Sequence, residues 1–184
     1  QLDIGIALWN HPDCGYIMSP ELCARIAELP NIVAIKSEQG FPLPAGICEM
    51  YHHFRDQVVI SCPIEADAIP LMSLMKLQFS GTSNTQWMGD YYPRAFELAR
   101  TGRFEEAMEM YWKVNPARQA NTAASAASAP AIGALNRTQW KYQDWLAGFN
   151  GGPLRAPAMR APDRFMKPLR QGLVASGLPV TDDP

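Results

Sequence analysis

Four times along this chain a short apolar run gives way to a polar turn and then to a stretch with helical spacing. Ile4-Gly5-Ile6-Ala7-Leu8 closes on Asn10-His11-Pro12-Asp13, and Ile32-Val33-Ala34-Ile35 leads into Lys36. Val58-Val59-Ile60-Ser61 follows, and then Leu77-Gln78-Phe79-Ser80, which runs into Gly81. Runs this short, bounded by turn residues, read as buried strands. The second is continuously apolar rather than alternating, as expected of a parallel sheet with helices over it. Ser19 is placed to cap a first helix, with Pro20 at its first position, Glu21 at the positive end of its dipole and Leu22, Ile26 and Leu29 as its apolar stripe. Further helices are expected over Ala45 to Phe54, Ala66 to Met75 and Pro93 to Arg100. Strand starts near residues 4, 32, 58 and 77 lie about 20 to 28 residues apart, the period of successive β/α units.

Four such units suit either an open doubly wound sheet or half of a closed eight-stranded barrel. Trp9-Asn10-His11-Pro12 stands where a dinucleotide-binding sheet would carry its Gly-rich turn, which disfavours the open form. After Gly102 the pattern turns helical throughout. Phe104, Ala107, Met108, Tyr111 and Val114 recur at three and four, the Ala- and Ser-rich residues 117 to 134 suit a flexible linker or, in preference, a closely packed helix, and helices are also expected over Arg137 to Ala147 and Arg164 to Ala175. The expected division is a β/α part over residues 1–101 and a helical extension over 102–184.

Composition narrows the function. A net charge of −2 with no basic run gives no reason to expect nucleic acid. The cysteines at 14, 23, 48 and 62 form no CxxC pair, and His11, His52 and His53 complete no ligand spacing with them, so no metal or cofactor is expected. Unpaired cysteines suit a reducing compartment, and no apolar run is long enough to span a bilayer; a cytoplasmic location with no membrane contact is expected. Gln1-Leu2-Asp3-Ile4 lacks the basic and apolar regions of a signal peptide.

Lys36 is the residue with the most chemistry in its position. Catalytic side chains gather at the C-terminal ends of barrel strands, and a lysine amine held there in partial burial can act as a nucleophile. Position alone favours a solvated surface lysine over a catalytic one. Thr82 and Ser83 suit a substrate hydrogen bond and ordinary loop polarity equally, Cys62 reads as a buried structural thiol in preference to one facing the pocket mouth, and His11 alone of the histidines is placed near a strand end. Glu38, Glu65 and Asp67 read as loop or first-turn carboxylates.

Leu8-Trp9-Asn10-His11-Pro12, Gly15, the helix from Ser19 to Leu29, and Pro30-Asn31-Ile32-Val33-Ala34-Ile35-Lys36 with Gly40 resemble the dihydrodipicolinate synthase and N-acetylneuraminate lyase family. That family reads Leu-Tyr-Asn-x-Pro and then Pro-Asn-Ile-x-x-Ile-Lys. Phe79-Ser80-Gly81-Thr82 resembles its eighth strand, and Gly151-Gly152-Pro153-Leu154-Arg155-Ala156-Pro157 its C-terminal element. The resemblance implies an α/β fold, the C-terminal half of a (β/α)8 barrel followed by a helical extension. It also implies a class I lyase or aldolase in which Lys36 forms a Schiff base with pyruvate or another 2-oxo acid, beside an aldehyde-type second substrate. Trp9, Asn10, Gly81, Thr82 and Ser83 become the expected substrate-binding residues.

Trp9 departs from the pattern, since it stands where the family has tyrosine and an indole N–H neither accepts a hydrogen bond nor titrates usefully near neutral pH. A non-catalytic 2-oxo-acid-binding or scaffold role is the alternative. Trp9 and Trp87, expected near strand ends, suit either an aromatic second substrate or core packing. Four strands cannot close a barrel, so about 110 to 150 further N-terminal residues, or a separate chain, are expected to supply the other half. Family resemblance also points to a homo-oligomer, commonly a tetramer.

Overall fold

The structure, a computed structural model, describes residues 3–11, 15–37, 43–82, 85–132, 137–152, 154–156, 158 and 162–182. Ser83 and Glu38 lie outside the described residues. The chain forms two compact units, Gln1–Ser83 with Leu98–Phe104, and Asn84–Glu97 with Glu105–Pro184.

The first unit alternates strand and helix: β1 (Ile6–Asn10), α1 (Pro20–Ala27), β2 (Ile32–Ser37), α2 (Leu43–Phe54), β3 (Val59–Cys62), α3 (Glu65–Leu71) and β4 (Phe79–Ser80). The strands form one parallel sheet in the order β1-β2-β3-β4, each helix serving as a crossover. This is half of a (β/α)8 barrel, as expected. β1 begins later than expected and extends through Trp9 and Asn10, because both continue the ladder opposite Lys36 and Ser37. β3 likewise takes in Cys62, and β4 keeps only two of its four expected residues.

β2 is irregular where the sequence looked uniform. Ile6 pairs with Ile32 but Ala7 with Ala34, so Val33 is an extra residue that bulges from the ladder and is 48% exposed. Beyond the bulge the two sides of the sheet separate. Asn10, Ile35, Ser37, Ile60 and Cys62 are buried on one side, where α1, α2 and α3 pack. Trp9, Ala34, Lys36, Val59, Ser61 and Phe79 take the other. Ile35 and Ile60 join Ile47, Met50, Phe54 and Ile69 in the core beneath the helices, each contributing about 1.5–3 kcal/mol by burial.

The first helix starts as its sequence dictates, with the Ser19 hydroxyl accepting from the Leu22 N–H at 3.2 Å. Its buried face differs from expectation: Cys23 and Ala27 are buried, whereas Leu29 is 52% exposed. Small side chains at those positions let the helix lie close to the sheet. α3 ends at Leu71 rather than Met75, directly after Pro70, and the chain continues through turns.

The second unit contains a 3-10 turn (Gln86–Met88), most of α4 (Tyr91–Arg100) and of α5 (Phe104–Lys113), and α6 (Asn115–Ile132), α7 (Thr138–Leu146) and α8 (Asp163–Ala175). The Ala- and Ser-rich stretch is a helix, and α8 lies directly against it. A Cβ on Gly172 would stand 2.9 Å from the Pro116 carbonyl oxygen and 3.0 Å from the Ala117 Cα, so only glycine permits that approach. The Ser176 hydroxyl, at the end of α8, accepts from the Ala117 N–H in the first turn of α6 at 3.1 Å. Leu146, Leu169 and Leu173 are fully buried. Trp87, expected near a strand end, is instead buried in the 3-10 turn of this unit. Among the described residues no helix is long and apolar enough to cross a membrane.

Candidate active site

One residue from each strand comes level across the less covered side of the sheet: Trp9 pairs with Lys36, Lys36 with Ser61 and Ser61 with Phe79. Parallel pairing puts their side chains on the same side. Lys36 is partly buried between an aromatic neighbour and a glycine. Its Nζ lies 5.0 Å from the centroid of the Trp9 ring, which is itself 45% exposed and tilted against the buried His11 ring at 4.5 Å. On the other flank a Cβ on Gly81 would meet the Lys36 Cδ at 3.0 Å and both Phe79 Cε1 and Ser61 Oγ at 3.1 Å. The absence of that Cβ leaves the space in which the lysine stem lies.

Ser61 holds this corner together. Its hydroxyl accepts from the Gly81 N–H at 2.8 Å and faces the Cys62 carbonyl at 3.5 Å, and the side chain is fully buried. Ser80 reaches the same Cys62 carbonyl at 3.4 Å. Thr82 follows, half-buried, directly after Gly81. Ser61 and Phe79 were not among the residues singled out in the sequence. Counting along each strand to the level of Lys36 would have found Ser61, once the strands had been aligned.

Asn10 points the other way. As the strand alternates, its side chain turns from the Lys36 row into the helix-covered side, where it is 1% exposed. Its Oδ1 accepts from the Met18 N–H at 2.7 Å, while Nδ2 donates to the Ser37 hydroxyl at 3.1 Å and to the Met18 carbonyl at 3.3 Å. These bonds tie the loop after β1 to β2, a positioning task in place of the substrate contact expected of it.

The remaining candidates stand apart from this row. Cys62 is buried on the helix side, with its thiol donating to the Ile64 carbonyl at 3.4 Å, and His52 and His53 are exposed on α2. Asp67, in the first turn of α3, has its carboxyl pushed up by burial and, less, by the neighbouring Glu65 charge. Burial likewise raises the Cys23 thiol. A cavity of about 930 Å³ opens among Tyr51, Ile60, Met75, Leu77 and Ala99, and no member of the Lys36 row lines it. Among the described residues no three His, Cys, Asp or Glu side chains gather as metal ligands would.

No protein-family model matches the chain. A 4-hydroxy-tetrahydrodipicolinate synthase of Methanospirillum hungatei is 28% identical over 178 residues, which cover 94% of this chain and 55% of the synthase. The chain is thus similar to a dihydrodipicolinate synthase along nearly all of its own length. The dihydrodipicolinate synthase of Aquifex aeolicus superposes with a TM-score of 0.80 at 20% identity, covering 98% of this chain and 58% of its own. N-acetylneuraminate lyase from Fusobacterium nucleatum superposes at 0.67 and 16% identity, covering 92% and 54%. The chain therefore spans a little over half the length of the proteins it matches, as the C-terminal half-barrel with its helices would. In the synthase pattern quoted above, the row's lysine is the motif lysine and its tryptophan stands at the tyrosine position.

Proposed function

We propose that Lys36 is the imine-forming nucleophile of a lyase that acts on pyruvate or another 2-oxo acid, together with an aldehyde-type second substrate. The observation that carries this reading is the lysine's setting: a partly buried amine on the open side of a half-barrel sheet, with a glycine clearing space beside it. Once the ammonium has given up a proton, the amine attacks the keto carbon, water leaves, and return of that proton gives a protonated imine, an electron sink for a carbanion at the adjacent carbon. Aldol cleavage, condensation and dehydration all draw on that intermediate. Gly81, Thr82 and Ser83 are the proposed substrate contacts at the end of β4, and Trp9 flanks the nitrogen. On the same reading, four further strands from a preceding segment or another chain complete the barrel against β1 and β4, and the assembly is a cytoplasmic homo-oligomer, a tetramer by family resemblance.

Trp9 favours one second reading. An indole beside Lys36 offers no acceptor for a relayed proton, which suits a protein that binds a 2-oxo acid without turning it over. Borohydride reduction of the natural protein in the presence of pyruvate, followed by peptide mapping, tests both. A permanent adduct on Lys36, absent from Lys36→Arg, is expected. Pyruvate heat of binding without an adduct would replace the enzyme by the sensor, and neither signal would remove both.

A further inference from the structure

We propose that the Trp9 indole is the receptor for the positive charge on the Lys36 nitrogen, first as ammonium and then as protonated imine. The inference rests on the imine reading and gives a role to the residue that fits it least well. Three observations carry it. Trp9 and Lys36 are register partners on adjacent strands, so the backbone ladder fixes their approach, and Nζ stands 5.0 Å from the ring centroid, within the range of a cation–π contact. Residue Trp9 is 45% exposed, far from the burial of Trp87 at 2%, so packing within this half of the barrel does not account for a tryptophan here. Finally, among the described residues no carboxylate pairs with Lys36, and the indole is its cation partner.

The chemistry conserves the charge that this face would hold. An ammonium and a ketone give a protonated imine and water: a C–N bond forms, the C–O bond breaks, the oxygen leaves as water and the positive charge stays on nitrogen. An indole has no acceptor lone pair and so cannot take the transferred proton, but the negative face of its ring attracts a cation, and does so more strongly for the iminium, whose single N–H holds less water than the three of the ammonium, so the contact favours imine formation. The buried His11, packed at 4.5 Å, holds the ring in place. Trp9 thus exchanges proton relay for electrostatic support of the nitrogen.

The test uses the natural protein with tryptophan, leucine or a series of fluorinated tryptophans at position 9. Fluorination drains the ring face while nearly preserving its shape, so a structural role would leave the series level. The pyruvate concentration for half-maximal borohydride trapping should rise by about 3- to 30-fold in Trp9→Leu and stepwise with fluorination. A level series, with trapping intact, overturns the inference and leaves the imine reading standing. Absence of trapping in the unmodified protein overturns the imine reading and the imine half of this inference. The ammonium half is read independently from the carbon-13 resonances of dimethylated lysines in ligand-free protein. An upfield ring-current shift at Lys36, lost in Trp9→Leu, supports it, and equal shifts in the two proteins overturn it.

Discussion

At Gly81 the geometry leaves little freedom. Its amide is held by Ser61, and a methyl group there would crowd the lysine stem, the Phe79 ring and the serine hydroxyl together. The lysine is the softest of the three, so Gly81→Ala should displace the Lys36 nitrogen and slow adduct formation by about 10- to 100-fold, with the melting temperature little changed. Rapid-quench borohydride trapping measures this, and an unchanged rate would mean that the lysine has another approach. Asn10 belongs with stability. Removing its amide in Asn10→Ala strands the Met18 N–H and should cost about 1–3 kcal/mol in urea denaturation. The position of Lys36 near the end of a strand was legible, because apolar residues lead straight up to it. The orientation of Asn10 was not, since the sequence appeared to end the strand before it and gave no parity from which to tell its side.

Among the elements, α6 and α8 show how a low-complexity stretch becomes a specific surface. Alanines and serines along α6 let the backbone of α8 approach at Gly172, and the Ser176 hydroxyl satisfies an amide in the opening turn of α6. Gly172→Val should separate the helices and destabilise the helical unit by about 1–3 kcal/mol. Calorimetry with hydrogen exchange would register it, and protection in α6 equal to the parent's would refute it. Periodicity and breakers made these helices readable. Two features of the sheet escaped them: the bulge at Val33, which looks like any other apolar residue in the run, and the shortness of β4, whose length depends on pairing with β3 rather than on composition.

For the molecule as a whole, titration is the testable property. Burial pushes up the carboxyls of both Asp67 and Asp144, and Lys141 only partly offsets this at Asp144. Groups raised in the folded state favour folding below the ordinary aspartate range, and that contribution is lost as pH rises through their elevated values. Asp67→Asn should therefore be more stable than the parent at neutral pH and lose that advantage in acid. Denaturation midpoints at both pH values decide it, and a constant difference would count against it. The recurrence of the β/α unit made the parallel sheet readable and the family resemblance pointed to the half-barrel, whereas the partnership of Ser61 and Phe79 with Lys36 needed the sheet register.

Each of the four strands donates a single member to the line Trp9, Lys36, Ser61 and Phe79. Point substitutions can thus retune the nitrogen's surroundings one strand at a time without disturbing the scaffold. A lost or gained residue between Ala34 and Lys36 is different: it would send the amine into the helix layer and bring an aliphatic or hydroxyl side chain to the open side. Chains built this way can drift freely in side-chain chemistry while their strand lengths stay locked.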